Sequence, residues 1–422
     1  MRMPSELKEK TLDTPEVKGK SKKFLLLTDI PPCRNFTAGL VLDQLCSFLP
    51  EGSISCFTVL NRELDPEVTH KEITSVTVSK PKEHKPRHFP GRLGALESFF
   101  AERYTDKITV SRIARQAAEF GKKSAADAVW CVVQGQTMIR LANQVADLMN
   151  VPLLTQVWDP PTWWLRANKV DSWSQKLILA DFASAMSKSH RLAAASWAMA
   201  EDYERLYGCR AIPVIPSLDA ALAKSPATKV NREDELTIGM AGQFYSNSEW
   251  ENLLLTFKHA NWKIGNRHVK VKVLGRNLSL SSNTPMNVEY LGWRNQAETI
   301  EVLSQLDILY CAYWFDPIFK EEASLSFPSK LTTYLAAGRP VFFHGPEYAS
   351  PAKFLKQHNA GVLCHDLARS SIYNELEKLA SNPDLYKQLA ENGSKAFHEH
   401  LTLSTMRKNF AEFLSLRSED LK

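Results

Sequence analysis

The sequence predicts two doubly wound α/β domains in tandem. Three observations lead there. A length of 422 residues exceeds what one ordinary core organises. Short, apolar, β-rich runs alternate with helical patterns, which implies parallel sheets covered on both faces. A polar stretch near the middle stops the alternation before it restarts.

Residues 1–22 are charged and carry no apolar period, and are read as a disordered tail. Strands follow at FLLLTDI (24–30), ISCFTVL (54–60), ITSVTVS (73–79), AVWCVVQ (128–134), LLTQVWD (153–159) and AIPVIP (211–216), with helices at 38–49 and 137–150 among them. This first domain spans 23–216. A linker covers 217–235, most of it the polar ALAKSPATKVNREDE. The second domain, 236–395, restarts with LTIGMAG (236–242), VKVKVLG (269–275), MNVEYLG (286–292), ILYCAY (308–313), VFFHG (341–345) and GVLCHD (361–366), with a helix at 297–306. The chain turns helical from about Asn382, and 396–422 is expected to return to the first domain.

Composition narrows the function. The chain is 44% hydrophobic and 23% charged, no run reaches the eighteen or so apolar residues of a membrane span, and the N-terminus has no secretory apolar region. A cytoplasmic protein is expected. The seven cysteines are scattered without a C-x-x-C pair, which argues for reduced thiols over a disulfide frame or zinc site. A net charge of +5 suits anionic small molecules or an acidic membrane surface and is too weak to indicate nucleic acid.

SFPSKLTTYLAAGRPVFFHG (326–345) reads as loop, helix, tight turn and buried strand. Leu331, Tyr334 and Leu335 share a helix face, and Gly338 before Arg339-Pro340 is a helix stop. Ligands of parallel sheets bind at the carboxyl ends of strands, and three strands of this half end in Gly242, Gly275 and Gly292. A helix start there offers free N–H groups and roughly half a positive charge, so Ser326, Phe327, Pro328 and Ser329 form an anion seat to which Lys330 adds a full charge. The alternative is that Ser329 caps the helix and Lys330 points to solvent.

LTIGMAGQF, VKVLGRN, VEYLGWR, DILYCAYW and SFPSKLTTYLAAGRPVFF, in this order and spacing, resemble the nucleotide-sugar half of GT-B glycosyltransferases of the family-4 type. IPPCRNFTAG resembles that family's first glycine-rich loop, and AASWAMAEDYERLYGCRAIPVIPSLD the segment closing its first domain. The resemblance runs from about residue 23 to the end. It implies two Rossmann-like domains facing across a cleft and a retaining, metal-independent transfer from a nucleoside-diphosphate sugar, with no other cofactor. It also implies that Gly39 faces the donor diphosphate, that Gly242, Gln243, Gly275, Arg276 and Trp293 surround the nucleotide, and that Ser326 to Lys330, with Thr333, hold the phosphates. The chain departs from the family at four positions. Gln243 and Glu249 stand where an Arg and a Lys are usual, and Leu325 and Thr333 where two glutamates are usual. Either Lys330, Arg276 and Arg294 take over the diphosphate and Glu321 or Glu322 turns to the sugar, or catalysis is lost.

Asp159 ends a first-domain strand, where a carboxylate can position an acceptor hydroxyl or stabilise charge on the donor sugar; capping a turn is the alternative. Asp159 and Lys330 are the candidate catalytic pair. Trp163 and Trp164 can stack on an acceptor sugar or pack in the core. His344 is a lone histidine near the seat, and no metal-ligand spacing exists among the eleven histidines. Residues 79–104 join a basic loop to an aromatic helix, which fits either peripheral contact with the inner face of the cell membrane or an ordinary solvated helix. The expected partners are a nucleotide sugar and a glycan or lipid-linked acceptor of cell-surface polysaccharide assembly. A catalytically degenerate binding or scaffold protein is the main alternative, and a sugar-nucleotide epimerase a third.

Overall fold

The computed structural model describes residues 22–83, 89–242, 246–275 and 286–422. The tail at 1–21, the loop at 84–88, Gln243 and Arg276 lie outside the described residues.

The first sheet contains β1 (Phe24–Thr28), β2 (Ile54–Leu60), β3 (Thr74–Ser79), β4 (Ala128–Val132), β5 (Leu153–Val157), β6 (Arg191–Ala194) and β7 (Ala211–Pro213). Their order is β3-β2-β1-β4-β5-β6-β7, with every pairing parallel. The second contains β8 (Glu235–Ala241), β9 (Lys263–Ile264), β10 (Arg267–Leu274), β11 (Val288–Gly292), β12 (Ile308–Ala312), β13 (Val341–His344) and β14 (Gly361–Cys364). Its order is β11-β10-β8-β12-β13-β14, all parallel, with β9 an antiparallel appendage on β10. Each sheet reverses direction once, between β1 and β4 and between β8 and β12. Such switch points leave a crevice at the carboxyl ends of the strands.

The central strands read as unbroken apolar runs because both faces are covered: β1, β4, β12 and β13 are buried at every position. The seven cysteines are all free and buried. Among the described residues no helix is long and apolar enough to cross a membrane.

The chain passes between domains twice. Residues 217–234 run along the second domain, with the Lys224 and Ala227 amides donating to Ala336 O and Gly338 O at 2.8 and 2.9 Å. Helix Pro383–His400 stays on the second domain, beyond the break expected at 395, and the return crossing falls at Leu401–Thr402. There the Leu218 amide donates to Leu401 O (3.0 Å) and the Leu403 amide to Leu218 O (2.8 Å). Helix Leu403–Phe413 then covers the first sheet, where Met406, Phe410 and Phe413 join Phe24, Leu26 and Trp130 in one core. At roughly 1.5–3 kcal/mol per fully buried large apolar side chain, this strap contributes several kcal/mol to the first domain.

Candidate functional site: an anion cavity at the domain crossing

A cavity of about 510 Å³ lies at the second sheet's switch point. Its floor is made by strand ends. The Gly242 amide donates to Leu274 O (2.9 Å) and the Gly275 amide to Gly292 O (3.1 Å), so the carboxyl ends of β8, β10 and β11 are tied together. A Cβ on Gly275 would lie 2.9 Å from Gly242 O, which is why this close backbone approach needs glycine. Helix Ser329–Ala336 is pinned to the same floor. The buried Tyr334 hydroxyl accepts from the Ala241 amide (2.8 Å) and donates to Ala241 O (3.2 Å).

Three helix starts reach this cavity: Thr37, Gln296 and Ser329, each the first residue of its helix, all line it. Helix Ser329–Ala336 has no side-chain cap, so Ser329 does not play the capping role its residue type allows. Each start contributes amide donors and the positive end of a helix dipole. Two cations, Lys330 and Arg294, complete the lining, and no carboxylate appears in it among the described residues. Burial holds the Lys330 ammonium down to about 8 from its ordinary 10.5, offset in part by Cys311. Helix starts and two cations together, with no acid among the described lining residues, give this cavity a lining whose chemistry suits an anion.

Of the residues expected to bind a donor, the cavity gathers Gly242, Gly275, Trp293, Pro328, Ser329, Lys330 and Thr333. Trp293 is 56% exposed and presents a ring at the rim. Others stand elsewhere. Phe327 is 7% exposed and packs edge-on against Trp197 and Phe354 at 5.3 Å each, so its side chain belongs to the core. Gly39 does not line the cavity. A Cβ there would fall 2.1 Å from Cys33 Sγ, so that glycine lets the preceding loop fold onto its helix, and Thr37 is the residue facing the cavity.

Across the cleft, Ser326 hydrogen-bonds Asp159, bringing together two candidates from different domains. Burial raises the Asp159 carboxyl above its ordinary value, Glu322 raises it further, and the Ser326 bond opposes both. Glu322 and Glu321 do not turn to the cavity. Glu322 pairs with Arg166 and Glu321 accepts from the Thr162 hydroxyl, both on first-domain helix Pro161–Ala167. On that helix Trp163 is 39% exposed, whereas Trp164 is 5% exposed within the first-domain core and cannot stack on a ligand.

One departure from the family pattern, and the lone histidine near the seat, acquire structural reasons. Glu249, where a Lys is usual, is 1% exposed and accepts from the Phe315 amide at 2.9 Å and the Ser248 hydroxyl at 2.8 Å. It is a buried loop anchor. His344 is fully buried between the Tyr310 hydroxyl and Asp366 O, both at 2.9 Å, and is structural.

The part the sequence reading missed is the contribution of Thr37, Gln296, Thr299 and the crossing segment Pro216–Leu218. One signal was available: Asn295 is a cap residue, and its side chain accepts from the Glu298 amide at 2.9 Å.

No family model matches the chain, and no curated protein matches it. Solved structures do. Sucrose-phosphate synthase from Thermosynechococcus elongatus matches at 11% identity and a TM-score of 0.63, covering 93% of this chain and 98% of that one. Anabaena HepE, in complex with UDP and glucose, matches at 14% identity and a TM-score of 0.59, with 93% and 99% covered. The lipopolysaccharide outer core galactosyltransferase WaaB, in its apo form, matches at 13% identity and a TM-score of 0.61, again with 93% and 99% covered. With nearly the whole of both chains matched, and two parallel sheets each with a switch point in this one, the chain has the two-domain GT-B fold of these glycosyltransferases.

Proposed function

We propose that the protein is a glycosyltransferase that takes a nucleoside-diphosphate sugar as donor and transfers the sugar, with retention and without a metal, to a glycan or glycolipid acceptor. The observation that carries this reading is the cavity: three helix starts and two cations converge, with no carboxylate among its described lining residues. A diphosphate is the ligand that uses all of them. Trp293 at the rim suits a nucleobase, and Thr299 and Thr333 offer hydroxyls for the ribose in place of a glutamate. Asp159, across from the seat, is placed by this reading beside the reacting sugar. The solved complexes of HepE with UDP and UDP-glucose support a uridine nucleotide as the first donor to try.

The acceptor side is part of the same proposal. Helix Gly91–Tyr104 exposes Leu93 (66%), Phe100 (62%) and Tyr104 (64%) along one face, and Ile108 (50%) extends it. Glu102 and Asp106 turn inward to the buried Arg140, while Arg92 and Lys107 stay exposed. An apolar stripe flanked by cations suits a lipid-linked acceptor at an anionic membrane surface.

The second reading is a nucleotide- or glycan-binding protein without turnover, favoured by Leu325 and Thr333 in place of two glutamates. Thermal-shift screening with UDP, GDP, TDP and CMP and their sugars, followed by hydrolysis and transfer assays, separates the two. Stabilisation with sugar release supports the enzyme, and stabilisation without release supports the binding protein. No nucleotide stabilising the chain would refute the enzyme and the nucleotide-binding form of the second reading.

A further inference from the structure

Away from the donor cavity, two helices of the second domain aim their carboxyl ends at one point. Helix Ser350–His358 and helix Pro383–His400 each have histidine as the last residue. The His358 and His400 rings lie 4.6 Å apart between centroids, and Glu399 joins them, with its Oε2 3.7 Å from His400 Nε2. One ligand atom from each of the three residues can be chosen so that all lie within 4.8 Å of one another. None of the three lines the donor cavity.

We propose that His358, Glu399 and His400 bind one divalent transition-metal ion of the zinc type, with water completing the coordination. Three features fit a cation there. Two helix carboxyl ends carry roughly half a negative charge each, and Glu399 adds a full one. Two imidazoles and a carboxylate are the donor set of zinc-like ions, and a poor set for magnesium or calcium, which take oxygen. The rings are backed by apolar surface: His358 packs on Phe354 at 4.6 Å, and His400 meets the edge of Trp197 at 6.0 Å. The turn holding His358 is fixed to the second helix by Asn392, whose amide donates to Asn359 O at 3.0 Å. Tetrahedral zinc places its ligand atoms roughly 3.3–3.5 Å apart, so the set, now within 4.8 Å, must close by up to about 1.5 Å. Glu399 is exposed on the last helical turn, where its only further ion-pair partner among the described residues is the exposed Lys395 at 3.9 Å, a contact the metal would have to displace.

The location gives the ion a role. His400 immediately precedes the return crossing at Leu401, and Trp197, which touches His400, belongs to the first domain and stacks on Phe354 at 4.9 Å. A bound ion therefore fastens two helix ends of one domain where the other domain rests against them.

The test uses the full chain stripped with a chelator and titrated calorimetrically with zinc chloride. One ion per chain is expected, with at least tenfold weaker binding in His358→Ala, His400→Ala and Glu399→Gln. Zinc should raise the thermal midpoint of the wild type and leave that of the variants unchanged, and magnesium should do neither. Glu399→Gln alters an exposed residue and guards against loss through misfolding, and unchanged UDP affinity in that variant separates this site from the donor cavity. Zinc uptake equal in wild type and all three variants, or none in the wild type, would overturn the proposal.

Discussion

Lys330 should be a liability to the empty protein and an asset to the occupied one. Moving its pKa from 10.5 to about 8 corresponds to roughly 3 kcal/mol of preference for the neutral form, an upper bound because the side chain is partly exposed. The folded chain holds this proton less tightly than the unfolded chain. The unfolded state therefore binds more protons between pH 8 and 10.5, stability rises with pH across that window, and the penalty is present in full below it. Lys330→Met removes the penalty and keeps the apolar stem, so the ligand-free variant should melt a few degrees above the wild type. The same change removes a charge-assisted phosphate contact of about 1.5–3 kcal/mol, so nucleoside-diphosphate affinity should fall roughly ten- to a hundredfold while affinity for the nucleoside barely changes. Wild-type affinity should decline as pH rises above 8, and Lys330→Arg, which stays charged, should flatten that decline. Calorimetry near pH 8 in two buffers of different ionisation enthalpy should reveal proton uptake on UDP binding in the wild type and none in Lys330→Met. Equal UDP affinity in wild type and Lys330→Met, or a lower melting midpoint of the variant, would refute this account.

Other substitutions probe the two domains separately. Asp159→Asn should reduce turnover by about one to two orders of magnitude with little change in donor affinity, and should erase the acid limb of the pH–rate profile, whose midpoint lies above the ordinary 3.8 of an Asp. Unchanged turnover would leave Asp159 a structural partner of Ser326. Glu249→Lys restores the residue usual in the family, yet it should lower stability in urea by about 3 kcal/mol or more and leave donor affinity no better, because it orphans the Phe315 amide and buries a charge. Arg166→Ala leaves the buried Glu322 carboxylate without its cation and should cost about 1–3 kcal/mol, read as a lower denaturation midpoint, with Arg166→Lys restoring part of it.

The strands were legible because doubly covered sheets demand unbroken apolar runs, and all fourteen residues of β1, β12 and β13 are buried. β6 was missed, since RLAA is four residues long and lacks β-branched side chains. In the site, strand-end glycines and the Pro328–Lys330 loop could be read because their chemistry is local. Thr37 and Pro216 could not, because only the packing of one domain on the other brings them to the cavity. Trp163 and Trp164 are an intermediate case. Pro161, Trp164 and Leu165 follow the i, i+3, i+4 period of a buried helix face, so the period alone assigns Trp164 to the core. Glu249 was opaque, because nothing in its neighbours announces the distant amide it holds.

The strap over the first sheet has a consequence for how the protein is made. Phe24, Leu26 and Trp130 leave the ribosome early, but the side chains that complete their core, Met406, Phe410 and Phe413, are among the last to be synthesised. The second sheet and its helices, through residue 400, are all translated before that point. The nascent first domain must therefore wait with an apolar face open while its successor folds, which inverts the usual N-terminal-first order and makes that waiting face the natural target for chaperone binding.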